Sequence, residues 1–395
     1  MGALDGVKVL DLGLLVQGPQ AAAMLADFGA SVIKVELPKV GDQARWIGLG
    51  EDDPRAPYFH SLNRGKRSIT LDLRRPDGAN VLKRMVVDVD VVISNFKPGT
   101  LDGWGLGYDV LSAINPRVVY ATGSAFGPIG PDAEREGADL AGQAAGGLIM
   151  TTGTDGGEPT PVGATIADHI ASQNMTSGIL AALLARERTG KGQRVDVSLV
   201  GGQVWAQAAE YTAFFMTGRQ PGRANRGHPL LNAAYGIVET ADGWIALIGV
   251  PPHLRAAFYE AIERPDLGAD PRFQPYLITA ETKQELFAEL APVFRTRTSA
   301  HWLDRLRAAG QRVAPVRDYA AVVADPQTLI NGYVIDGGDP AIGTTHVVGS
   351  PVRFSATPAT PAHAAPELGQ HTEEILLEFG YGWDEITQLR ETGAL

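Results

Sequence analysis

Within the first 125 residues, five short segments rich in Val and Ile alternate with helical patterns, and this alternation narrows the possible folds more than any other feature. The segments are Val7–Leu12, Ser31–Glu36, Ser68–Leu73, Val91–Ser94 and Val118–Thr122. Strands separated by helical crossovers pair in parallel, and strands that are apolar along their length are covered on both faces. Pro19 is placed to start a helix through Phe28 that closes at Gly29, and Asp77 to cap one through about Val87. An α/β fold with a Rossmann-like large domain is expected.

The turn after the first strand, Gly13-Leu14-Leu15-Val16-Gln17-Gly18-Pro19, lacks the G-x-G-x-x-G spacing that brings backbone close to a dinucleotide pyrophosphate. NAD and FAD are therefore not expected. The sequence also lacks a phosphate-loop motif, a nucleophile elbow and a zinc-binding H-E-x-x-H, and its eight histidines are scattered. No metal and no permanently bound cofactor are expected.

Further along, a second long helix is expected over Val200–Met216, then a polar Gly- and Pro-containing stretch. Asp242-Gly243 between Tyr235–Thr240 and Trp244–Ile248 marks a hairpin, and helices follow near His253–Ile262, Ala280–Phe294 and Ser299–Ala309. The organisation expected is a large domain from residues 1–205 and 330–395, a linker at 206–225, an inserted small α+β domain at 226–316 and a return linker at 317–329.

The net charge of −11 argues against a general nucleic-acid binder, which needs Lys and Arg to neutralise phosphates. No apolar run approaches a membrane span, there is no cysteine, and Met1–Leu12 carries acidic residues where an export signal needs basic ones. A cytoplasmic protein is expected. One basic stretch, Asn63–Ser68 continued by Arg74 and Arg75, reads either as a solvated loop or as a site for a phosphorylated ligand.

Asp168 carries the sharpest functional question. It stands after Ala164-Thr165-Ile166-Ala167 at the head of a helix expected from about His169 to Glu187, which runs into Gly190-Lys191-Gly192 and a strand at Arg194–Ser198. One reading makes it an N-cap. The other makes it a nucleophile, kept ionised at neutral pH by the positive helix end.

Taken in order, the segments LDGVKVLDL with Gln17-Gly18-Pro19, Leu25–Glu36, Asn63–Leu73, Asn95-Phe96-Lys97-Pro98-Gly99, Ala167-Asp168 with the helix behind it, and Pro366–Leu376 resemble the family III CoA-transferases. That resemblance implies an enzyme that moves CoA from an acyl-CoA thioester to a carboxylic acid, with Asp168 as the nucleophile and aspartyl anhydride and aspartyl-CoA intermediates. It also implies a CoA site lined by Val16, Gln17, Leu71, Arg74, Asn95, Phe96 and Lys97, and an interlocked homodimer. Phe96 would offer a flat apolar face, Asn95 amide hydrogen bonds, and Lys97 and Arg74 charge for phosphate. Asp139 matches an acidic position near the thioester; its other reading is a helix cap.

The chain departs from family patterns at Leu37 and Gly103, where some members carry arginines, at Glu136, where some carry lysine, and in lacking the glycine-rich lid. Arg45, Arg135 and the Asn63–Arg67 loop are candidate replacements for the missing cations. Two rival readings are an α-methylacyl-CoA racemase, whose histidine base would stand where this chain has Ala138, and a noncatalytic CoA-binding subunit. His169 neighbours Asp168 but lies about 100° round the helix and is not counted as that base.

Overall fold

The computed structural model describes all residues, Met1–Leu395. Chain order in the first half is β1 Lys8–Asp11, α1 Gln17–Asp27, β2 Ser31–Glu36, α2 Pro57–Asn63, β3 Arg67–Thr70, α3 Pro76–Val86 and β4 Val91–Ser94. There follow α4 Thr100–Gly103, α5 Tyr108–Ile114, β5 Val119–Ser124, α6 Asp139–Ala145, α7 Leu148–Thr151, α8 Ile166–Thr189, β6 Arg194–Ser198 and α9 Leu199–Ala206. Contacts divide the chain into two compact units. The larger contains residues 1–146, 163–206 and 325–395, and the smaller residues 147–162 and 207–324.

All six strands of the larger unit's main sheet are parallel, in the order β3-β2-β1-β4-β5-β6. Apolar side chains cover both faces, as the Val- and Ile-rich strands require. Leu10, Ile33, Ile69 and Val92 pack on one face with Leu82 and Met85 of α3, while Val9, Val32, Val91 and Ala121 pack on the other with Leu25 of α1 and Met175 and Ile179 of α8. The mixed α/β expectation with a parallel central sheet holds. Strand order reverses direction between β1 and β4, and the crevice at the carboxyl ends of such strands is where doubly wound sheets receive ligands.

Several boundaries differ from expectation. Helix α1 starts at Gln17, two residues before Pro19, and α3 starts at Pro76 with no side-chain cap from Arg75. The single helix expected over Val200–Met216 is two, α9 and α10 (Ala208–Thr217), because the backbone at Gln207 leaves the helical region at φ −105°, ψ 30°.

The smaller unit holds α7 and α10 and then the hairpin β7 Tyr235–Glu239 and β8 Trp244–Ile248. Next come α11 Arg255–Ala261, α12 Pro265–Ala269, α13 Ala280–Phe294, α14 Ser299–Ala308, β9 Val313–Pro315 and α15 Tyr319–Val323. Strand β9 has no counterpart among the expected elements; it pairs antiparallel with β8 and completes a three-stranded sheet. Phe258, Leu290, Phe294 and Trp302 form this unit's own core. Residues 147–162, expected in the large domain, belong here. The chain ends in the larger unit, and α17 Thr372–Glu378, which follows α16 Pro326–Ile330, lies against β3.

Candidate active site

Asp168 is the third residue of α8, a helix of 24 residues that begins at Ile166 rather than His169. Its side chain does not cap its own helix. That task falls to Asp139, the first residue of α6, whose Oδ1 accepts from the backbone N–H of Ala167 at 2.7 Å and of Asp168 at 3.3 Å. The other oxygen of Asp139 accepts from the Gln143 amide at 2.6 Å. The cap reading therefore fails for Asp168 and holds for Asp139, across two helices. An anion at a helix N-terminus is favoured by the unsatisfied N–H groups there.

With Asp139 occupying those donors, the Asp168 carboxylate has no hydrogen-bond donor and no ion-pair partner within the chain. Burial raises its pKa to about 7, and the neighbouring Asp139 charge adds to the rise. This corrects the expectation of a carboxylate kept ionised at neutral pH. The helix end would have that effect if its N–H groups faced Asp168, but Asp139 holds them, so burial and like charge dominate.

His169 is fully engaged elsewhere. Its Nδ1 lies 2.6 Å from Gln20 Oε1 on α1 and its Nε2 3.1 Å from Thr165 Oγ1. The Ser172 hydroxyl, completely buried, lies 2.7 Å from the Asp168 carbonyl oxygen and 2.8 Å from the Gln17 carbonyl oxygen. The first turn of α8 is thus seated on the first turn of α1.

The residues expected to line a CoA site are distributed round the strand ends. Leu71, Arg74 and Phe96 line a largely apolar cleft of about 280 Å³ at the carboxyl ends of β1 to β4, with Leu37 and Trp104 also on its wall. Phe96 meets Trp104 edge to face, ring centroids 5.3 Å apart. Arg74 is exposed and already paired with Asp72 through bonds of 2.8 and 2.9 Å. Lys97 lies on a second, smaller recess with Ser94, Thr122, Ser124 and Arg194.

Val16 and Gln17 are buried, and the Gln17 amide donates to the Ser124 carbonyl. A side chain at Gly123 would collide with Gln17 Oε1 where the amide now lies, so the glycine leaves that amide its place beside β5. Asn95 is committed within the protein: its Oδ1 accepts from Leu14 N–H at 2.7 Å and its Nδ2 donates to the Leu14 carbonyl at 2.8 Å. It joins the loops after β1 and β4 rather than presenting a free amide.

In the basic stretch the cations of Asn63–Ser68 are committed within the chain. Lys66 is completely buried and donates to Asp11 at 2.7 Å, to the Pro19 carbonyl at 2.8 Å and to Asn63 at 2.9 Å. Arg64 pairs with Asp27, and Arg67 with Glu374 and Glu378. Arg45 pairs with Glu36 and stacks over Phe59, 3.6 Å from the ring centroid, while Arg135 pairs with Asp132 on the surface. Carboxylates far away in sequence have claimed Arg64, Lys66 and Arg67, whereas Arg135 takes Asp132, three residues before it. Beside them lies an ion pair that sequence reasoning missed, Lys34 with Asp42 at 2.7 Å, both side chains fully buried. A lysine inside the apolar strand Ser31–Glu36 was the available signal.

The sequence profile of CoA-transferase family III matches residues 4–372. The chain is 36% identical over 394 residues to a succinyl-CoA–D-citramalate CoA-transferase of Chloroflexus aurantiacus, an alignment covering 98% of this chain and 96% of that protein. It is 35% identical to an acetyl-CoA:oxalate CoA-transferase of Acetobacter aceti, with 96% of each chain covered. Among solved structures, a CaiB/BaiF family protein from Brucella suis superposes with a TM-score of 0.84 at 34% identity, covering 96% of this chain and 100% of that one. The chain belongs to family III of the CoA-transferases and is a CoA-transferring enzyme.

Proposed function

We propose that this enzyme moves CoA from an acyl-CoA thioester to a short dicarboxylic or hydroxy acid, with Asp168 as the covalent nucleophile. The observation that carries the reading is the bare Asp168 carboxylate: it lies at a helix head whose N–H groups Asp139 has taken, with no donor or cation of its own. Such a carboxylate is less stabilised than one in water and correspondingly more nucleophilic when ionised. Its raised pKa is compatible with catalysis near neutral pH, where part of the population is charged.

Asp168 attacks the thioester carbonyl, forming an acyl-aspartyl anhydride and releasing CoA thiolate. The thiolate attacks the aspartyl carbonyl, which gives an Asp168-CoA thioester and frees the donor acid. The acceptor carboxylate attacks that thioester, forming a second anhydride and again releasing thiolate. Attack of the thiolate on the acceptor carbonyl yields the new acyl-CoA and restores Asp168. Each difficult exchange is split into two easier ones, and holding the reactants at attack distance supplies up to roughly 7–11 kcal/mol.

The cleft bounded by Leu71, Arg74 and Phe96 is the natural seat for part of CoA, with Lys97 on the neighbouring recess. The acids named for the relatives, D-citramalate and oxalate, support a small dicarboxylate or hydroxy acid as acceptor. A homodimer, interlocked as the family resemblance implies, fits the apolar side chains exposed along α10, where Phe215 and Met216 are 74% and 80% accessible. Light scattering at working concentration tests that assembly.

Racemisation is disfavoured by Ala138, the residue before α6, which supplies no acid or base, and by the two committed nitrogens of His169. The deciding experiment incubates the protein with acyl-CoA and acid pairs and follows CoA exchange, solvent deuterium at the α-carbon, and the mass of an Asp168 adduct. CoA exchange with an adduct at Asp168, both absent in Asp168→Ala, is expected. Rapid α-deuteration without CoA exchange would overturn the reading.

A further inference from the structure

The turn between β1 and α1 is held by side chains to an unusual degree. The Asp11 carboxylate accepts from Gly13 N–H at 2.9 Å, Lys34 donates to the Gly13 carbonyl, Asn95 bonds both the N–H and the carbonyl of Leu14, and Asp42 accepts from Leu15 N–H at 2.9 Å. Leu15 sits in the left-handed region at φ 61°, a conformation that non-glycine residues keep only when their surroundings hold them there. Asp42 and Lys34 bond each other at 2.7 Å, and both are completely buried. Lys66 ties Asp11 to the Pro19 carbonyl in the first turn of α1.

From this turn the contacts run to the nucleophile. Gln17, at the start of α1, shares the Ser172 hydroxyl with the Asp168 carbonyl, and Gln20 holds His169, the residue after Asp168. We infer that Lys34 and Asp42 are positioning residues for transfer: by locking the Gly13–Leu15 turn they set the start of α1, and α1 sets the first turn of α8 that carries Asp168. Neither side chain reaches the reacting atoms. This inference rests on the assignment of Asp168 as the nucleophile.

A buried ion pair also contributes charge balance, so the test separates balance from position. The double variant Lys34→Met/Asp42→Asn removes one cation and one anion together, leaving the Asp11–Lys66 pair intact. The amide that replaces the Asp42 carboxylate can still accept from Leu15, but the Gly13 carbonyl loses its donor. The folded double variant should exchange CoA with kcat lower by roughly 10- to 100-fold, as displacements of about 1 Å cause, with KM for acyl-CoA little changed. The Asp168 adduct should accumulate correspondingly more slowly in single turnover. Wild-type kcat and adduct rate in the folded double variant would overturn the inference, because charge balance alone would then explain the pair.

Ser172→Ala, which leaves no charge unpaired, tests the other end of the same path, the α1–α8 contact without which Lys34 and Asp42 cannot act on Asp168, and it can overturn the inference even if the double variant does not fold. A severalfold drop in kcat at unchanged KM is expected, with only the small fall in thermal midpoint that one lost buried hydrogen bond brings; wild-type kcat counts against the path. Asp168→Ala is assayed alongside. Retained exchange there overturns the nucleophile itself, whereas a dead Asp168→Ala with wild-type turnover in the other variants overturns only the positioning role.

Discussion

Asp11 and Glu36 on one side and Asp168 on the other are all carboxylates of the larger unit drawn wholly or partly out of water, yet their chemistry points in opposite directions. Asp11 and Glu36 lie where the buried Lys34 and Lys66 and the half-buried Arg45 face them. Burial would raise both carboxyls, but Lys34 with Lys66 for Asp11, and the Arg45 bond with Lys34 for Glu36, outweigh it and hold them below the usual range. Asp168 meets burial without any cation and a like charge besides, and rises to about 7. Among these three, neighbouring charge rather than burial separates the carboxylates that brace the fold from the one available to react, whereas at Asp27 burial outweighs even its Arg64 partner and lifts the pKa to about 6.

The largest effect should come from Asp168→Asn. CoA exchange is expected to fall by about 10⁴-fold or more, the scale seen when a covalent nucleophile is removed. Stability should not suffer, because the change relieves a half-buried acid of its unfavourable charge. An unfolding midpoint well below wild type would show that Asp168 braces the fold after all and would erase the contrast.

Lys66→Met probes the opposite group. It leaves the buried Asp11 charge facing fewer cations, and a loss of about 3–5 kcal/mol is expected in denaturant titration. A loss near zero would mean that the cluster is not held by its ion pairs.

The two groups also differ in pH dependence. Asp11, lowered in the folded state, contributes stability above its unfolded value near 3.8 that is lost as the pH falls through the lower folded value. Asp168 works in the other sense: its contribution is complete below about 3.8 and is lost as the pH rises through about 7. Asp168→Asn should therefore gain stability over wild type progressively as the pH rises from about 3.8 to about 7 and keep the full gain above that. For catalysis the sign reverses, since the ionised form attacks, so kcat/KM should rise with pH through about 7. Asp139→Asn keeps an acceptor for the α8 N–H groups while removing the like charge, and the rise should move to lower pH. An unmoved profile would detach Asp139 from the titration.

Arg74→Ala should have the smallest effect on stability. The Arg74 head is exposed, so its bond to the buried Asp72 is worth about 1 kcal/mol or less, and Arg75 remains beside Asp72, so the melting curve should scarcely change. If the cleft holds CoA, KM for acyl-CoA should rise while KM for the acceptor acid stays put.

How much of this was legible beforehand depended on whether the signal was local. The Ser31–Glu36 and Val91–Ser94 strands and the Ala280–Phe294 helix begin and end where apolar periodicity and turn residues place them. Asp168 stood out from its place at a helix head. The role of Asp139 in capping that helix was not legible, because the two residues are 29 positions apart in the chain and meet only through packing of α6 on α8. Asn63–Arg67 misled for the same reason: a run of cations looks solvated until Asp11 and Asp27, far away in sequence, are folded against it.

By itself, then, the sequence determined the parallel sheet, since crossover spacing and strands apolar on both faces leave few other arrangements, and it determined family membership and the candidate nucleophile. Only the tertiary structure decided which charged groups are free. A charge's state depends on burial and on neighbours within a few ångströms, and those neighbours arrive from β1, β2, α6 and α8 without any fixed spacing along the chain.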